Sequence, residues 1–298
     1  MRARGCLAAA LVVAVPEVAH AHGIAGSGPE SELWISAGLG ASLLLYALGL
    51  SRLWRSAGTG RGISLRQAVL FVAGWAVLAG ALLSPLGAAS GESFAAHMIE
   101  HELLMAVAAP VLVLSRPLGA MIWAFRANAR RGLGALARNR AVATVWQAML
   151  KPGPAWGIHA AALWGWHAPA LFGAALVDPW THAAQHASFL AAALIYWWSL
   201  FRPAERRHAG IAVLSLFGTS IQTTLLGALL AVSTAPWYAV YRDGRGAFGL
   251  TPLEDQQLAG LVMWIPAGTV YMGAALALIY GALQGAARPS GGVHVART

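Results

Sequence analysis

The sequence is poor in charged residues. Only 10% of its 298 residues are Asp, Glu, Lys or Arg, whereas 58% are hydrophobic. Soluble domains usually carry about 25% charged residues. This composition therefore excludes an ordinary soluble globular protein and indicates an integral membrane protein.

Cysteine is almost absent as well. The single residue, Cys6, lies in the N-terminal 21 residues and lacks the small-residue context expected before a lipidated cysteine. If that segment is removed, the remaining chain has no thiol, which excludes disulfides and thiolate metal sites. A metal would then be bound by nitrogen, oxygen or thioether ligands.

The N-terminus has the layout of a secretory signal peptide. Arg2 and Arg4 precede a short apolar run at 7–15, and Ala19 and Ala21 supply the small residues of a cleavage site. We expect cleavage after Ala21; an uncleaved N-terminal anchor is the alternative. Residues 22–32 then form an outer segment, 33–283 a membrane domain and 284–298 a cytoplasmic tail.

Long apolar runs recur through the rest of the chain. A helix needs about 20 mostly apolar residues to cross a hydrocarbon core about 30 Å thick. Seven runs are predicted to cross: Leu33–Leu50, Leu65–Ser84, His97–Leu114, Trp156–Ala175, His182–Phe201, Ala209–Ser233 and Leu258–Leu283. The predicted fold is an all-α integral membrane protein, a bundle of seven transmembrane helices.

The basic residues predict its orientation. Sixteen of the 20 lysines and arginines follow the first, third, fifth or seventh run, and only Arg242 and Arg245 lie in a loop on the other side. By the positive-inside rule the N-terminus lies outside and the C-terminus inside. The net charge of +9 is thereby explained by topology and by contact with anionic membrane lipid, without a nucleic-acid partner. The long inner loop, 116–153, is predicted to hold an interfacial helix.

Histidines gather at the outer ends of the predicted spans. HMIEH, with His97 and His101, begins the third run, and a second pair, His182 and His186, begins the fifth. Each pair is four residues apart, so its two histidines share one face of a helix. Ionisable groups cost about 2.5 to 3.5 kcal/mol within a bilayer, so their clustering there predicts a functional site. The predicted metal ligands are His97, His101, His167, His182 and His186. His159, about 12 Å deeper than His167 by helix rise, is predicted to be a hydrogen-bonded core histidine.

Several other groups are predicted to assist this site. Two methionines and a glutamate share the face of the first histidine pair on a regular helix, and two aspartates lie at outer helix ends. Cleavage after Ala21 would also create a new N-terminal histidine whose amine and imidazole can chelate copper. These auxiliary candidates are Glu100, Met98, Met105, Asp178, Asp255 and His22. The thioethers favour copper as the metal, with zinc and iron as alternatives.

Other function classes use similar residues. HMIEH matches the inverted zinc-protease motif H-x-x-E-H, but so short a pattern arises easily by chance, and here it begins a membrane span. A zinc or di-iron enzyme acting on lipid, with Glu100 or Asp178 as base, is the principal alternative. A b-type haem protein with two axial histidines is another. A transporter is disfavoured because internal repeats are absent.

Four stretches, in this order and spacing, resemble the seven-helix CtaG family of cytochrome c oxidase assembly factors: HMIEHELLMAVAAPVLVLSRP, WGWHAPALFGAAL, THAAQHASFLAAALIYWW and EDQQLAGLVMWIPAG. The resemblance covers about Leu33–Leu283. It implies a non-enzymatic metallochaperone of the inner (plasma) membrane and the respiratory chain, which holds or delivers copper at the outer face. The implied partners are haem-copper terminal oxidase subunits and a periplasmic copper chaperone. The five predicted histidine ligands and Asp255 match recurrent residues of the family.

Overall fold

The computed structural model describes residues 29–201, 206–241 and 248–287, and within these ranges every regular element is a helix. The α-helices are α1 (Pro29–Ala57), α2 (Leu65–Leu83), α3 (Pro85–Ser90), α4 (Phe94–Glu102), α5 (Ala109–Ser115), α6 (Pro117–Met121), α7 (Ala127–Arg138), α8 (Arg140–Met149), α9 (Pro152–His167), α10 (Pro169–Val177), α11 (Pro179–Phe201), α12 (Arg206–Ala231) and α13 (Pro252–Ala287). Leu103–Ala108 is π-helical, and short 3-10 turns occupy Ile122–Ala124 and Ala239–Tyr241. The predicted signal peptide, His22 and most of the predicted tail lie outside the described residues.

Five helical segments are long and apolar enough to cross a membrane. They are Leu33–Ala57, Leu65–Leu83, Phe94–Ser115, Gly210–Ala231 and Pro252–Gln284, and a sixth arises if α9 and α10 are taken as one bent span. The chain is therefore an all-helical membrane protein. The helix α11 is 23 residues long, but His182, Gln185 and His186 lower its mean hydropathy. Seven spans and their orientation remain predictions.

The predicted fourth span is not one straight helix. α9 and α10 meet at an angle of 72°, and the residue between them, Ala168, has an extended backbone with φ −61° and ψ 128°. Pro169 explains the break, because proline lacks an N–H and pushes the preceding residue out of the helical region. The predicted span over Trp156–Ala175 thus corresponds to a bent pair of helices, and His167 is the last residue before the bend.

The third span also departs from a regular helix. It begins at Phe94, with the Ser93 hydroxyl accepting a 3.2 Å hydrogen bond from the N–H of Ala96, and it changes from α to π geometry at Leu103. Pro110 follows this π turn and donates no backbone hydrogen bond, and its ring would crowd the carbonyl of Ala106 in a regular helix. Helices α4 and α5 are thus two α-helical pieces joined by one wider turn.

The bundle packs closely around this span. α13 lies against both α12 and α4, while α11 packs on α9 and α5. At the α12–α13 contact, a Cβ on Gly260 would lie 2.4 Å from the carbonyl oxygen of Gly227, so small residues permit the close approach of these helices. The inner loop predicted to hold an interfacial helix contains α7 and α8, which expose apolar side chains such as Leu136 and Val145.

Candidate metal centre

Three of the predicted ligands converge closely enough to bind one ion. Each of His97, His182 and His186 offers a ring nitrogen, and these three nitrogens all lie within 4.8 Å of one another. α4 contributes the first ring and α11 the other two, at positions four apart that share a helix face. A metal ion with ligands at about 2.0 Å holds its nitrogens about 3 to 4 Å apart, so the triad is close to a binding geometry.

The remaining two predicted ligands lie beside this triad. The ring of His101 is 4.3 Å from that of His97 and 5.2 Å from that of His186, measured between centroids. The ring of His167, at the end of α9, lies 6.4 Å from His101. The structure therefore brings all five histidines into one group drawn from α4, α9 and α11.

Most of the group is shielded from solvent, whereas His182 is half-buried. His97 is fully buried, and His101, His167 and His186 are 4%, 4% and 6% exposed. Neither ring nitrogen of His101 has a hydrogen-bond partner among the described residues. Buried imidazoles are normally hydrogen-bonded or bound to metal. Because His101 lies beside the rings of His97, His186 and His167, its lone pair is available to a cation.

Two polar side chains flank the histidines. The Oε1 atom of Glu100 lies 3.8 Å from Nε2 of His186, and the glutamate is 2% exposed. Gln185, one residue before His186, is completely buried. Glu100 was predicted from its helix face, whereas Gln185 was missed because a single glutamine in an apolar helix carries no ligand signature.

The other auxiliary candidates have different surroundings. Met98 is fully buried and its sulfur lies 3.4 Å from Nε2 of His167. Met105 lies in the π turn and packs in the hydrophobic core with Phe189 and Trp197. The prediction that it shares a face with the first histidine pair assumed a regular α-helix, and the wider turn alters that register.

The two aspartates act at helix ends. Asp255 accepts hydrogen bonds from the first turn of α4, through the N–H of Phe94 at 2.6 Å and the hydroxyl of Ser93 at 2.6 Å. Asp178 is exposed and accepts from both the N–H and the hydroxyl of Thr181. These two hydrogen bonds lower the pKa of Asp178 because they stabilise the carboxylate. Both aspartates thus hold helix ends that carry histidines.

An aromatic group, which sequence reasoning missed, packs against the cluster. Phe94, Phe172, Tyr238 and Tyr241 are all buried and pack together, with the rings of Phe172 and Tyr238 only 4.2 Å apart. The hydroxyl of Tyr238 donates to the carbonyl of His167 at 3.0 Å. The segment after α12 is therefore folded back over the metal centre, and the scattered aromatic residues gave no sequence signal for this.

His159 does not have the hydrogen bonds that were predicted. It is completely buried, and neither of its ring nitrogens has a hydrogen-bond partner within the described ranges. Its nearest aromatic neighbour is Tyr196, with ring centroids 4.8 Å apart. It is a core histidine, but it is packed against rings and not hydrogen-bonded.

Fold and site together define a polytopic helical membrane protein with a buried imidazole cluster under one end of the bundle. The sequence model of the family described as cytochrome c oxidase caa3 assembly factor matches residues 44–284. The chain belongs to this family of cytochrome c oxidase assembly factors. No curated protein and no solved structure matches the chain.

Proposed function

We propose that the chain binds copper as cargo through His97, His182 and His186, and delivers it to the oxidase that its family helps to assemble. The observation that carries the proposal is the convergence of three ring nitrogens within 4.8 Å of one another. Imidazole is a suitable ligand for copper, zinc and iron, and the neighbouring thioether of Met98 favours Cu(I). Copper centres are part of a haem-copper oxidase, so a copper-binding assembly factor fits the family.

The membrane arrangement supports delivery at the outer face. The proposal includes seven spans in a cell's inner membrane, with the N-terminus outside. α11 is one of these spans, although its composition alone does not identify it as one. Its polar residues turn inward, since Gln185 and His186 are buried while Trp180, in its first turn, is exposed. An inward polar face lets a helix cross the bilayer despite its lower hydropathy. Oxidase subunits and a periplasmic copper donor are the proposed partners.

Release of cargo requires ligands that can be replaced one at a time. Three imidazoles form such a set, and each ring nitrogen must be unprotonated to bind. The aromatic cover keeps water away from the site while the ion is held. Movement of this cover is the proposed step that admits an acceptor protein.

The test is the metal content of the detergent-purified chain after equilibration with excess Cu(I) and removal of loosely held metal. We expect His97→Ala and His186→Ala to lose the ion of the triad, and the control His159→Gln to retain it. Equal copper in the wild type and both alanine variants would overturn the proposal. In cells lacking the protein, the oxidase should contain less copper; normal copper loading would exclude the delivery role.

A second function is favoured by the 3.8 Å separation between Glu100 and His186. A carboxylate beside a triad of imidazoles can act as a base in metal-assisted hydrolysis or can complete a zinc or iron site. This alternative predicts tight zinc or iron and turnover with lipid that Glu100→Gln abolishes. The copper proposal predicts that Glu100→Gln retains copper and that lipid is not consumed. The haem alternative is tested by looking for a Soret band in the same preparation.

A further inference from the structure

Met98 and His167 form an unusual contact beside the triad. Nδ1 of His167 lies 2.7 Å from the carbonyl oxygen of Leu163, and Nε2 of the same ring lies 3.4 Å from the sulfur of Met98. Met98 is fully buried and His167 is 4% exposed. Both ring nitrogens therefore face acceptor atoms in a dry part of the protein.

The carbonyl decides which nitrogen carries the proton. A carbonyl oxygen only accepts hydrogen bonds, so Nδ1 must donate to Leu163. In a neutral ring Nε2 is then unprotonated, and its lone pair points towards a thioether that is itself a weak acceptor. A doubly protonated ring would donate to both neighbours, but it would place a positive charge in a buried part of the bundle, which is costly.

A cation bound by both Nε2 of His167 and the sulfur of Met98 would remove the conflict between these two facing acceptor atoms. With metal–nitrogen and metal–sulfur bonds of about 2.0 and 2.3 Å, the observed separation of 3.4 Å corresponds to a nitrogen–metal–sulfur angle of about 105°. A hydrogen bond from Nδ1 to a carbonyl is also the usual way in which a metal-binding histidine is oriented. The contact therefore has the geometry of a ligand pair with its supporting hydrogen bond already made.

We infer that Met98 and His167 bind a second metal ion, Cu(I), beside the triad of His97, His182 and His186. The inference rests on the proposed copper-binding function and deepens it. Thioether and imidazole together select the soft cuprous ion over Zn²⁺, whereas three imidazoles accept either. The metal centre thus has a soft subsite and a less selective one.

His101 lies beside the two subsites. Two imidazoles on one ion place their ring centroids about 5 Å apart at a tetrahedral angle and about 6 Å apart at wider angles. The ring of His101 lies 5.2 Å from His186 and 6.4 Å from His167, and both of its nitrogens lack hydrogen-bond partners among the described residues. At 5.2 Å it can share an ion with His186, whereas 6.4 Å is too long for a tetrahedral ion shared with His167, so His101 neighbours both subsites but is a ligand only on the triad's side.

The test is silver and copper binding by the detergent-purified full chain, with Ag(I) as a redox-inert probe for Cu(I). We expect about two Cu(I) or Ag(I) ions per wild-type chain and about one per Met98→Leu chain, with a sulfur neighbour at about 2.3 Å in X-ray absorption that the variant loses. Leucine preserves most of the volume of methionine, so the fold should be kept. Met105→Leu, a buried methionine on the same span, is the matched control and should keep both ions and the sulfur signal.

Further variants separate this inference from the proposed function. His167→Gln should lose the same ion as Met98→Leu, while Co(II) or Zn(II) binding at the triad is retained in both. His97→Ala should lose the triad ion and keep the sulfur signal. If Met98→Leu binds as many Ag(I) ions as the wild type, or if no sulfur neighbour is seen, Met98 only fills the core and the second site does not exist. Loss of all binding in His97→Ala would also contradict an independent subsite.

Discussion

The carboxylate of Asp255 in α13 binds the first turn of α4, accepting 2.6 Å hydrogen bonds from the N–H of Phe94 and from the hydroxyl of Ser93. The contact is buried. A negative charge at a helix N-terminus is favourable because it meets unpaired N–H groups and the positive end of the helix dipole. α13 therefore fixes the helix that carries His97.

Asp255→Asn should destabilise the protein without removing a metal ligand. Loss of a buried charge-assisted hydrogen bond costs about 2 kcal/mol, so the melting temperature in detergent should fall. Glu254→Gln is the matched control, since Glu254 is exposed and bonds only to Thr251. Equal melting temperatures of the two variants would show that Asp255 does not anchor α4.

Metal binding at the triad should weaken as the pH falls. Protons compete with the ion for each imidazole nitrogen, so the apparent affinity is highest where His97, His182 and His186 are all neutral. We expect Co(II) or Cu(I) competition titrations to show a falling affinity once the pH is acidic enough to protonate the rings. An affinity that stays constant down to the pH at which the fold itself is lost would show that imidazoles are not the ligands.

Tyr238→Ala should open the metal centre. The phenol packs on Phe172 and donates to the His167 carbonyl, so its removal takes away part of the aromatic cover and one support of α9. We expect a several-fold faster transfer of bound copper to a soluble chelator in stopped-flow measurements. Tyr280→Ala, at an exposed position on α13, is the control and should leave the rate unchanged. Slower or unaltered transfer in Tyr238→Ala would mean that this ring does not limit access.

Gly260→Ala should separate α12 from α13. The added Cβ would lie 2.4 Å from the carbonyl oxygen of Gly227 and 2.7 Å from the backbone nitrogen of Ala231, and neither backbone atom can move independently of its helix. Overpacking of this kind costs about 1 to 3 kcal/mol, which should appear as a lower melting temperature. Gly268→Ala, on the same helix with open space around it, should be neutral. Similar melting curves for the two variants would contradict the close helix contact.

The histidine pairs could be located from the sequence because their spacing is a local property. His97 and His101, like His182 and His186, share a helix face at any position along a regular helix, and polar groups entering apolar runs indicate where to look. Hydropathy likewise predicted the bounds of α2 to within one residue and those of α12 to within three. Helix periodicity and apolar length therefore gave both the elements and the candidate ligands.

Contacts between distant parts of the chain could not be obtained in this way. Nothing in the sequence pairs Met98 with His167 or places Tyr238 over the cluster, because those contacts depend on the packing of separate helices. The bend at Pro169 does have a sequence signal, because proline disfavours a helical conformation of the residue before it. The continuous apolar run around it nevertheless led to the prediction of a single span. The π turn has no comparable signature, and it moved Met105 off the face that a regular helix predicts.

The π turn at Leu103–Ala108 affects how this chain is aligned with its relatives. A π turn holds one residue more than an α-helical turn, so the face that α4 presents and the face that α5 presents are offset by one position in sequence. Consider a relative whose helix is α-helical throughout this segment. To present the same two faces, it must have one residue fewer between its histidine pair and the equivalent of Pro110. Ungapped comparison across this segment would pair lipid-facing positions with interior ones.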